Sequence, residues 1–264
     1  MPKLCRITVF PIKSLDGVDV EQAKVLASGA LENDRRWAIV DAQGRFINGK
    51  RTPAVHPLRL RLSGPAGASL CISLGAGVDE ESFRLPDDAT AVSAWLSAAL
   101  QTKCRLIENA DGGFPDDGDA LGVTLISAQS LATAAEWFDL DADQMRRRIR
   151  ANLEFDAPAP FWEDQLVDHG AAPRRISVGN VILRGRTICM RCVVPTRDWR
   201  TGEAIPGFAR TFADRRRESL PDWSPPEQFD HFYRLAINTS PDWIPEGATV
   251  RLGDQVQLVS QTIS

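Results

Sequence analysis

Two cysteines stand close together in this sequence, in the segment Cys189-Met190-Arg191-Cys192. Five arginines lie within a few residues of the pair: Arg184, Arg186, Arg191, Arg197 and Arg200. Positive charge near a thiol lowers its pKa, and the thiolate is the form that ligates metals and attacks sulfur. A thiolate beside cationic groups suits a soft metal that is carried by an anionic organic ligand. The segment is therefore a candidate metal-binding or sulfur-handling site.

Three other interpretations compete for the pair. A structural zinc site needs four ligands at short spacing, but His56, His169 and His231 are isolated in the sequence. A thioredoxin-like redox pair opens a helix, and the residues after Cys192, Val-Val-Pro-Thr, are not typical of a helix start. Two buried cysteines that pack as small apolar residues are the third alternative, and the spacing leaves it open.

The elements that must position these side chains are mostly strands. Residues 58–62 alternate with period two, as a half-buried strand does, and residues 181–186 form a β-type run just before the cysteines. Residues 37–41 and 45–47 flank a turn and predict a hairpin, and residues 250–259 predict a second, terminal hairpin. Evenly spaced short strands favour a barrel or a sandwich.

Helices are predicted in few places. Residues 91–100 carry an apolar stripe at helical spacing, and Ser127 is a plausible N-cap for a helix that runs through Trp137. Residues 109–120, rich in Asp and Gly, are the best candidate for a domain boundary. We therefore expect a β-rich fold with a few helices, divided into residues 1–110 and 111–264.

Composition narrows the class of protein. Hydrophobic residues make up 43% and charged residues 25%, as in an ordinary globular chain, and the net charge of -4 argues against a general nucleic-acid binder. No stretch approaches the roughly 18 consecutive apolar residues of a membrane helix. The N-terminus lacks the apolar core of a signal peptide, so we expect a cytoplasmic protein that binds neither membrane nor nucleic acid. No lysine follows Lys103, which argues against Schiff-base chemistry with pyridoxal phosphate.

Several motifs occur in the order found in a known family. The Cys-x-Arg-Cys segment, followed by Thr196, Asp198 and Thr201-Gly202, is similar to the signature of the MOSC domain, the C-terminal domain of molybdenum cofactor sulfurase. Residues 10–14, 29–37, 41–46 and 51–53 resemble the MOSC N-terminal β-barrel domain, and residues 125–127 and 148–152 continue the match. The resemblance is closest to the branch that contains the mitochondrial amidoxime-reducing component and its bacterial relatives. It implies a MOSC N-terminal β-barrel-like lobe followed by a MOSC β-barrel lobe.

The resemblance also implies a cofactor and its site. In that branch the second cysteine of the motif ligates molybdenum, which maps onto Cys192 as metal ligand and catalytic residue. The residues that hold the pterin of the molybdenum cofactor map onto Lys13, Arg35, Ser127, Arg150 and Asn152. Each residue has an alternative explanation. Lys13 could be a solvated strand-end lysine, Arg35 could pair with Asp34 or Asp41, and Arg150 could belong to a solvated helix face. Helix capping and strand-end hydrogen bonding could explain Ser127 and Asn152. Asp34 is expected to orient Arg35.

The resemblance implies an oxidoreductase that reduces N-hydroxylated or similar oxo-bearing small molecules. The sequence lacks the C-x4-C-x2-C spacing of a plant-type iron–sulfur domain, so electrons would come from a separate protein such as a ferredoxin, a cytochrome b5-like protein or a flavin reductase. The alternatives are a non-catalytic carrier of the cofactor or of sulfur, with Cys189 or Cys192 holding a persulfide, and a sulfur-metabolism protein without molybdenum. We further expect residues 212–226 to form a loop over or beside the site and residues 161–164 to line the substrate mouth.

Overall fold

A computed structural model describes residues 1–62, 70–76, 79–167 and 174–259. Its strands are β1 (Leu4–Val9), β2 (Val18–Val20), β3 (Gln22–Lys24), β4 (Trp37–Asp41), β5 (Leu58–Leu62), β6 (Leu70–Ala76), β7 (Glu80–Leu85), β8 (Cys104–Glu108), β9 (Thr124–Ser127), β10 (Leu153–Phe155), β11 (Arg175–Val178), β12 (Val181–Met190), β13 (Arg234–Trp243), β14 (Thr249–Arg251) and β15 (Val256–Leu258).

Within the same ranges there are four α-helices, α1 (Ala89–Ala99), α2 (Ala128–Glu136), α3 (Ala142–Ile149) and α4 (Phe208–Glu218). Short 3-10 helices span Pro53–Val55, Trp162–Leu166, Val194–Thr196 and Pro226–Gln228. The predicted β-rich class with few helices is confirmed. None of the helices described is long and apolar enough to cross a membrane.

The largest sheet has eight strands in the order β15-β11-β12-β13-β9-β10-β1-β2. Smaller sheets pair β5-β6-β7, β4-β8 and β3-β14. Two strands from the start of the chain, β1 and β2, thus lie in a sheet that is otherwise built after residue 123. Leu4, Ile7 and Val9 are accordingly buried in one core with Leu153 and Phe155. Strands from both sides of residue 110 therefore share one sheet, which a division of the chain at that residue does not reveal.

A second core belongs to the N-terminal part alone. The indole of Trp37 and the side chains of Ile39, Leu60, Leu74 and Leu96 are buried together, where α1 packs against the small sheets. The apolar stripe that predicted α1 is the face that is buried here: Val92 and Leu96 are the helix's buried residues. The described chain therefore has one core confined to its first part and another to which both parts contribute.

Two predicted elements are wrong. Residues 250–259 do not form a hairpin with each other, because β14 pairs with β3 and β15 pairs with β11. The residues between them do turn, since the Arg251 amide donates to Asp254 Oδ2 at 2.8 Å. Residues 212–218 are not a loop; they belong to α4, whose Phe208 and Phe212 are buried beside Leu235 in a third apolar cluster. Aromatic burial outweighs the charged residues that suggested a loop.

Candidate functional site

One cavity of about 960 Å³ lies between the first part of the chain and the second, with lining residues from both. Its volume falls in the range of small-molecule sites, which is about 300–1,000 Å³. Eleven lysines and arginines line it against six aspartates, so the cavity favours an anionic ligand. Cys189, Cys192, Lys13, Arg35, Arg150 and Asn152 all lie in its wall.

Cys192 follows the end of β12 and precedes the 3-10 helix Val194–Thr196. Its half-buried Sγ accepts a hydrogen bond from the Val194 backbone amide at 3.4 Å. The Tyr233 hydroxyl donates to the Cys192 carbonyl oxygen at 3.1 Å and fixes the backbone at this point. Burial raises the pKa of Tyr233, so this phenol stays protonated and remains a donor at neutral pH.

The second cysteine has its own cationic partner. Arg191 Nη1 lies 3.1 Å from Cys189 Sγ, and Arg191 Nη2 donates to the Ile149 carbonyl oxygen at 2.5 Å. This guanidinium therefore ties the thiol of Cys189 to the end of α3. Arg184, another of the arginines near the pair in sequence, instead makes an ion pair with Asp242 at 2.5 Å. Proximity in sequence thus identifies one partner of the thiols correctly and misassigns another.

Arg35 and Arg150 share one aromatic ring. Their guanidinium carbons lie 4.9 and 4.3 Å from the centroid of Phe10. Arg35 also makes an ion pair with Asp34, as expected, and Asp34 Oδ1 accepts the Phe10 amide at 2.9 Å. Asn152 lies beside them, because Arg35 Nη1 is 3.4 Å from Asn152 Oδ1. The predicted residues Arg35, Arg150 and Asn152 thus meet around Phe10.

Arg150 differs from Arg35 in having no counter-ion in the part of the chain that the structure describes. It ends α3 in the left-handed conformation at a φ of 57°, which turns the side chain into the cavity wall and away from a solvated helix face. Among the described residues its guanidinium makes no hydrogen bond or ion pair, only the contact with Phe10. Burial, and then the charge of Arg35, lower its pKa to about 10. An unpaired, partly buried cation of this kind is a position for an anion.

Lys13 is held by the loop of residues 109–120. Its ammonium donates to the carbonyl oxygens of Phe114 and Pro115 at 2.8 and 3.2 Å and to Asp116 Oδ1 at 2.7 Å. Burial lowers the pKa of Lys13, although Asp116 counteracts it. Burial on its own would raise the pKa of Asp116, but the charge and hydrogen bond of Lys13, together with the charges of Lys50 and Arg35, outweigh it and the pKa is lowered. In this arrangement the lysine closes the loop over the cavity wall with all three of its N–H donors engaged.

Ser127 is not brought to the cavity, whose lining does not include it. It is fully buried, and its Oγ accepts the Ser130 amide at 3.1 Å as the N-cap of α2. The predicted cap is confirmed, and the cofactor role of Ser127 stays a prediction. Asn152, by contrast, lies in the cavity wall while its amide also donates to the Thr8 carbonyl oxygen at 3.2 Å and joins two strands.

The acidic residues expected at the substrate mouth are elsewhere. Glu163 and Asp164 are buried, and Asp164 pairs with the fully buried Arg216 of α4. Neither carboxylate lines the cavity, so this expectation is wrong. Residues 212–226 also contribute nothing to the cavity lining. The physical reason is the ion pair itself: it satisfies two charges that would otherwise need water.

Three cavity-forming residues were not predicted as site residues. Asp116 acts on Lys13 from 103 positions away, and no local pattern indicates such a contact. Arg148 is buried and donates to the carbonyl oxygens of Pro195 and Arg197, so it supports the backbone after Cys192. Trp199 lies in the lining of the cavity, and its position in the irregular segment after Cys192 is the only sign of it in the sequence.

Comparison with known proteins tests the predicted resemblance. Residues 1–110 match the MOSC N-terminal beta barrel domain. Molybdenum cofactor sulfurase 2 of Culex quinquefasciatus is 25% identical over 256 residues, which cover 82% of this chain and 33% of that protein. Molybdenum cofactor sulfurase of Danio rerio is 24% identical over 261 residues, covering 81% and 30%. The predicted resemblance to the MOSC family is confirmed: residues 1–110 match its N-terminal domain, and the sulfurases align with about four fifths of the chain.

The chain spans about a third of the length of these curated relatives. Among solved structures, the YuaD protein from Bacillus subtilis aligns with 97% of this chain and 94% of its own, at a TM-score of 0.40 and 11% sequence identity.

Proposed function

We propose that the cavity binds the molybdenum cofactor and that Cys192 is the protein ligand of the metal. One observation carries the proposal: a half-buried thiol, that of Cys192, and a cation without a counter-ion, that of Arg150, lie in the wall of the same cavity. A pyranopterin cofactor offers a phosphate and a soft metal centre, and these two groups suit its two ends. The names of the relatives, molybdenum cofactor sulfurases, support the same ligand.

The residues around Phe10 would hold the organic part of the cofactor. Arg150 would supply a planar fork of N–H donors to the phosphate, since none of the described residues occupies it. Arg35 and Asn152 would meet ring edges, and Asp34 keeps the Arg35 guanidinium in place. Lys13 would first have to exchange Asp116 for the ligand, because its donors are engaged. We therefore expect Arg150 to contribute more to binding than Lys13.

We further propose that the loaded protein is an oxidoreductase that reduces N-hydroxylated small molecules. When bound, the molybdenum cofactor supplies two-electron oxygen-transfer chemistry. Overall, an N–OH group, two electrons and two protons give N–H and water, and the electrons come from a separate electron-transfer protein. The chain's part is to hold Cys192 through the Val194 amide and the Tyr233 hydroxyl, and to orient the substrate in the basic cavity.

Metal analysis tests the ligand. Protein from a host that makes the cofactor is compared with Cys192→Ala, Cys189→Ala and, as a matched control, Cys71→Ala, whose side chain lies on β6 outside the cavity. We expect molybdenum to fall to background in Cys192→Ala and to remain near the wild-type level in the other two. Retention of molybdenum by Cys192→Ala would contradict the assignment.

Activity is tested separately on the loaded protein. Reduced methyl viologen serves as electron donor and benzamidoxime as substrate, and benzamidine is measured as product. Turnover that follows molybdenum content across the variants supports the reductase. A fully loaded protein that forms no benzamidine overturns it and leaves cofactor binding intact.

A carrier that delivers the cofactor or its sulfur is the second candidate. Two observations favour it: the relatives are sulfurases by name, and Cys189 places a second sulfur in the cavity with the Arg191 guanidinium 3.1 Å away. A persulfide at Cys189 would lie beside that guanidinium, which could donate a hydrogen bond to it. The test uses a polysulfide, whose S–S bond breaks as it passes one sulfane sulfur to the Cys189 thiolate. Alkylation and mass spectrometry would then show a 32 Da addition on Cys189, which Cys189→Ala would lack.

A further inference from the structure

A group of three arginines surrounds one indole at the edge of the cavity. The guanidinium carbons of Arg59, Arg147 and Arg200 lie 4.7, 4.2 and 4.7 Å from the centroid of Trp199. Trp199 and Arg147 belong to the cavity wall, and Arg200 is an exposed neighbour of the indole. Arg59 Nη2 also donates to the Trp199 carbonyl oxygen at 2.7 Å, which fixes the ring's backbone.

One carboxylate serves this cationic group. Asp16 pairs with Arg59 at 3.0 Å and lies 3.9 Å from Arg147. Asp198 is engaged elsewhere, because its carboxylate accepts the Arg200 and Thr201 amides and lies 3.6 Å from Arg148. Among the described residues Arg200 makes no ion pair. The pKa of Arg59 is lowered, first by burial and, against the effects of Asp16 and Asp198, by Arg147 and Arg200. The group therefore carries an excess of positive charge.

The indole holds these side chains in a useful orientation. A guanidinium that stacks on an aromatic face leaves its N–H edges free, and those edges match a carboxylate through two parallel hydrogen bonds. Arg59 is satisfied by Asp16 and by carbonyl oxygens. Among the described residues the guanidinium groups of Arg147 and Arg200 donate no hydrogen bond, and the contact of Arg147 with Asp16 is a long ion pair of 3.9 Å, so their N–H edges are open to a ligand. Their ring partner faces a cavity, which favours a small molecule over an acidic protein surface.

We propose that Arg147 and Arg200, held on Trp199, form a subsite for the carboxylate of an anionic small-molecule substrate at the edge of the cavity. This rests on the proposed function, because the substrate's reacting group would be placed toward Cys192 while its carboxylate stays at Trp199. The subsite sets substrate class: N-hydroxylated compounds with a carboxylate bind more tightly than neutral ones.

Kinetics of the loaded protein test the subsite. KM and kcat are measured for benzamidoxime and for 4-carboxybenzamidoxime in the wild type, in the double variant Arg147→Gln/Arg200→Gln, and in Arg210→Gln as control. Arg210 is an exposed arginine on α4, outside the cavity. We expect the double variant to raise KM for the carboxylated substrate about tenfold, with less than a twofold change for benzamidoxime and unchanged molybdenum content. Equal changes for both substrates, or none, overturn the proposal.

A binding measurement separates this proposal from the reductase. The indole N–H signal of Trp199 is assigned in a two-dimensional NMR spectrum by its loss in Trp199→Phe. We expect benzoate to shift this signal, benzamide to leave it unchanged, and the double variant to abolish the benzoate effect. If no amidoxime is reduced but benzoate shifts the signal, the reductase fails and the subsite stands. If the double substitution weakens only the salt-dependent binding of an acidic redox protein, the arginines belong to a docking surface and the subsite is overturned.

Discussion

Among the side chains proposed to hold the pterin, Arg150 is the one on which cofactor binding is expected to depend most. Its charge is half-buried beside Arg35 and lacks a counter-ion among the described residues, whereas Arg35 has Asp34 and Lys13 has Asp116. A protein gains no stability from such an arrangement, because desolvation and like-charge repulsion both oppose folding. Its persistence is understandable where an anionic ligand supplies the missing partner. Binding and stability then make opposite demands on this residue.

The substitution Arg150→Gln should therefore change two quantities in opposite directions. Molybdenum content of the purified protein should fall at least tenfold, because the phosphate loses its free guanidinium. The free energy of unfolding of the cofactor-free protein should rise by about 1 kcal/mol, since an unpaired charge is removed. Metal analysis and urea denaturation measure the two effects. Arg210→Gln should change neither, and a destabilised variant with full molybdenum content would contradict the assignment.

At the scale of single residues, the sequence predicts which residue types could bind the cofactor and in which order they occur along the chain. The ordered motifs point to Cys192, Arg35, Arg150 and Asn152, and all four lie in one cavity. They do not tell whether a cation has a partner, because partners such as Asp116 come from distant loops. The engagement of Lys13 and the freedom of Arg150 are therefore results of the three-dimensional structure alone.

At the scale of single elements, the loop after Cys192 depends on one buried arginine of α3. Arg148 Nη1 donates to the Pro195 carbonyl oxygen at 3.0 Å and also to that of Arg197, and Nη2 lies 3.6 Å from Asp198. Two orphan carbonyl groups of the Cys192 segment are thereby satisfied from a neighbouring helix. The segment that carries the proposed metal ligand, Cys192, is therefore held in place by a residue of another element, α3.

Replacing Arg148 by Met keeps the volume and removes the donors. We expect the free energy of unfolding to fall by about 3 kcal/mol, because two carbonyl groups lose their partners in a buried place. Hydrogen exchange of residues 192–198 should accelerate more than that of α1, which lies in a separate core. Arg215→Met, on the exposed face of α4, is the control. Uniform acceleration across the chain would show a global loss of stability instead.

The buried pair of carboxylates beside α4 makes the protein's stability depend on pH. Glu163 Oε2 accepts from Ser130 at 2.9 Å while Oε1 has no partner among the described residues, and Asp164, paired with Arg216 and Ser224, adjoins it. Burial, and then the charge of Asp164, raise the pKa of Glu163 to about 7. The folded state thus binds a proton that the unfolded state releases near pH 4.5.

Glu163 therefore stabilises the folded protein in acid and loses that contribution as the pH rises from about 4.5 to about 7. In Glu163→Gln this loss is absent, so relative to the wild type the variant should gain up to about 3 kcal/mol between pH 4.5 and pH 7. Urea denaturation of both proteins at pH 5 and pH 8 gives the difference between their free energies of unfolding at each pH. Groups that titrate equally in both proteins do not contribute to this difference. If this difference is the same at both pH values, or if it changes in favour of the wild type at pH 8, the raised pKa of Glu163 is contradicted.

Elements that depend on local pattern agree with the sequence, and those that depend on distant contacts do not. Ser127 caps α2 as predicted because capping involves neighbouring residues only. The terminal residues turn as predicted but pair with β3 and β11, which lie far away along the chain. Residues 212–218 are charged enough to resemble a loop, yet Phe212 and Arg216 are buried by partners that no local pattern shows.

On the scale of the whole molecule, the loop of residues 109–120 forms part of the cavity wall and returns to the segment that carries Arg35. The Phe114 amide donates to the Arg35 carbonyl oxygen at 2.9 Å, and the Asn109 amide donates to that of Arg36 at 2.8 Å. The same loop closes on Lys13 through Asp116. These contacts join the β4-β8 sheet to the cavity wall and keep two of the predicted cofactor residues in register.

Gly113 is the position in this loop where a side chain cannot be placed. Its φ is +66°, and an added Cβ would collide with the Asp34 carbonyl oxygen and lie 2.9 Å from that of Arg35. The substitution Gly113→Ala must therefore lift the loop, weaken the Asp116–Lys13 pair and displace Arg35 from Phe10. We expect a loss of about 2 kcal/mol in unfolding free energy and a severalfold loss of molybdenum content.

Gly118 in the same loop gives the matched control, because an added Cβ there would meet nothing within 4 Å. Gly118→Ala should leave both stability and molybdenum content at the wild-type level. Thermal denaturation and metal analysis of the two variants distinguish the general effect of reduced backbone freedom from the effect of the specific clash at Gly113. If Gly113→Ala loses stability but keeps its molybdenum, the loop supports the fold without positioning Arg35, and the cofactor is held from the side of Arg150 and Cys192 alone.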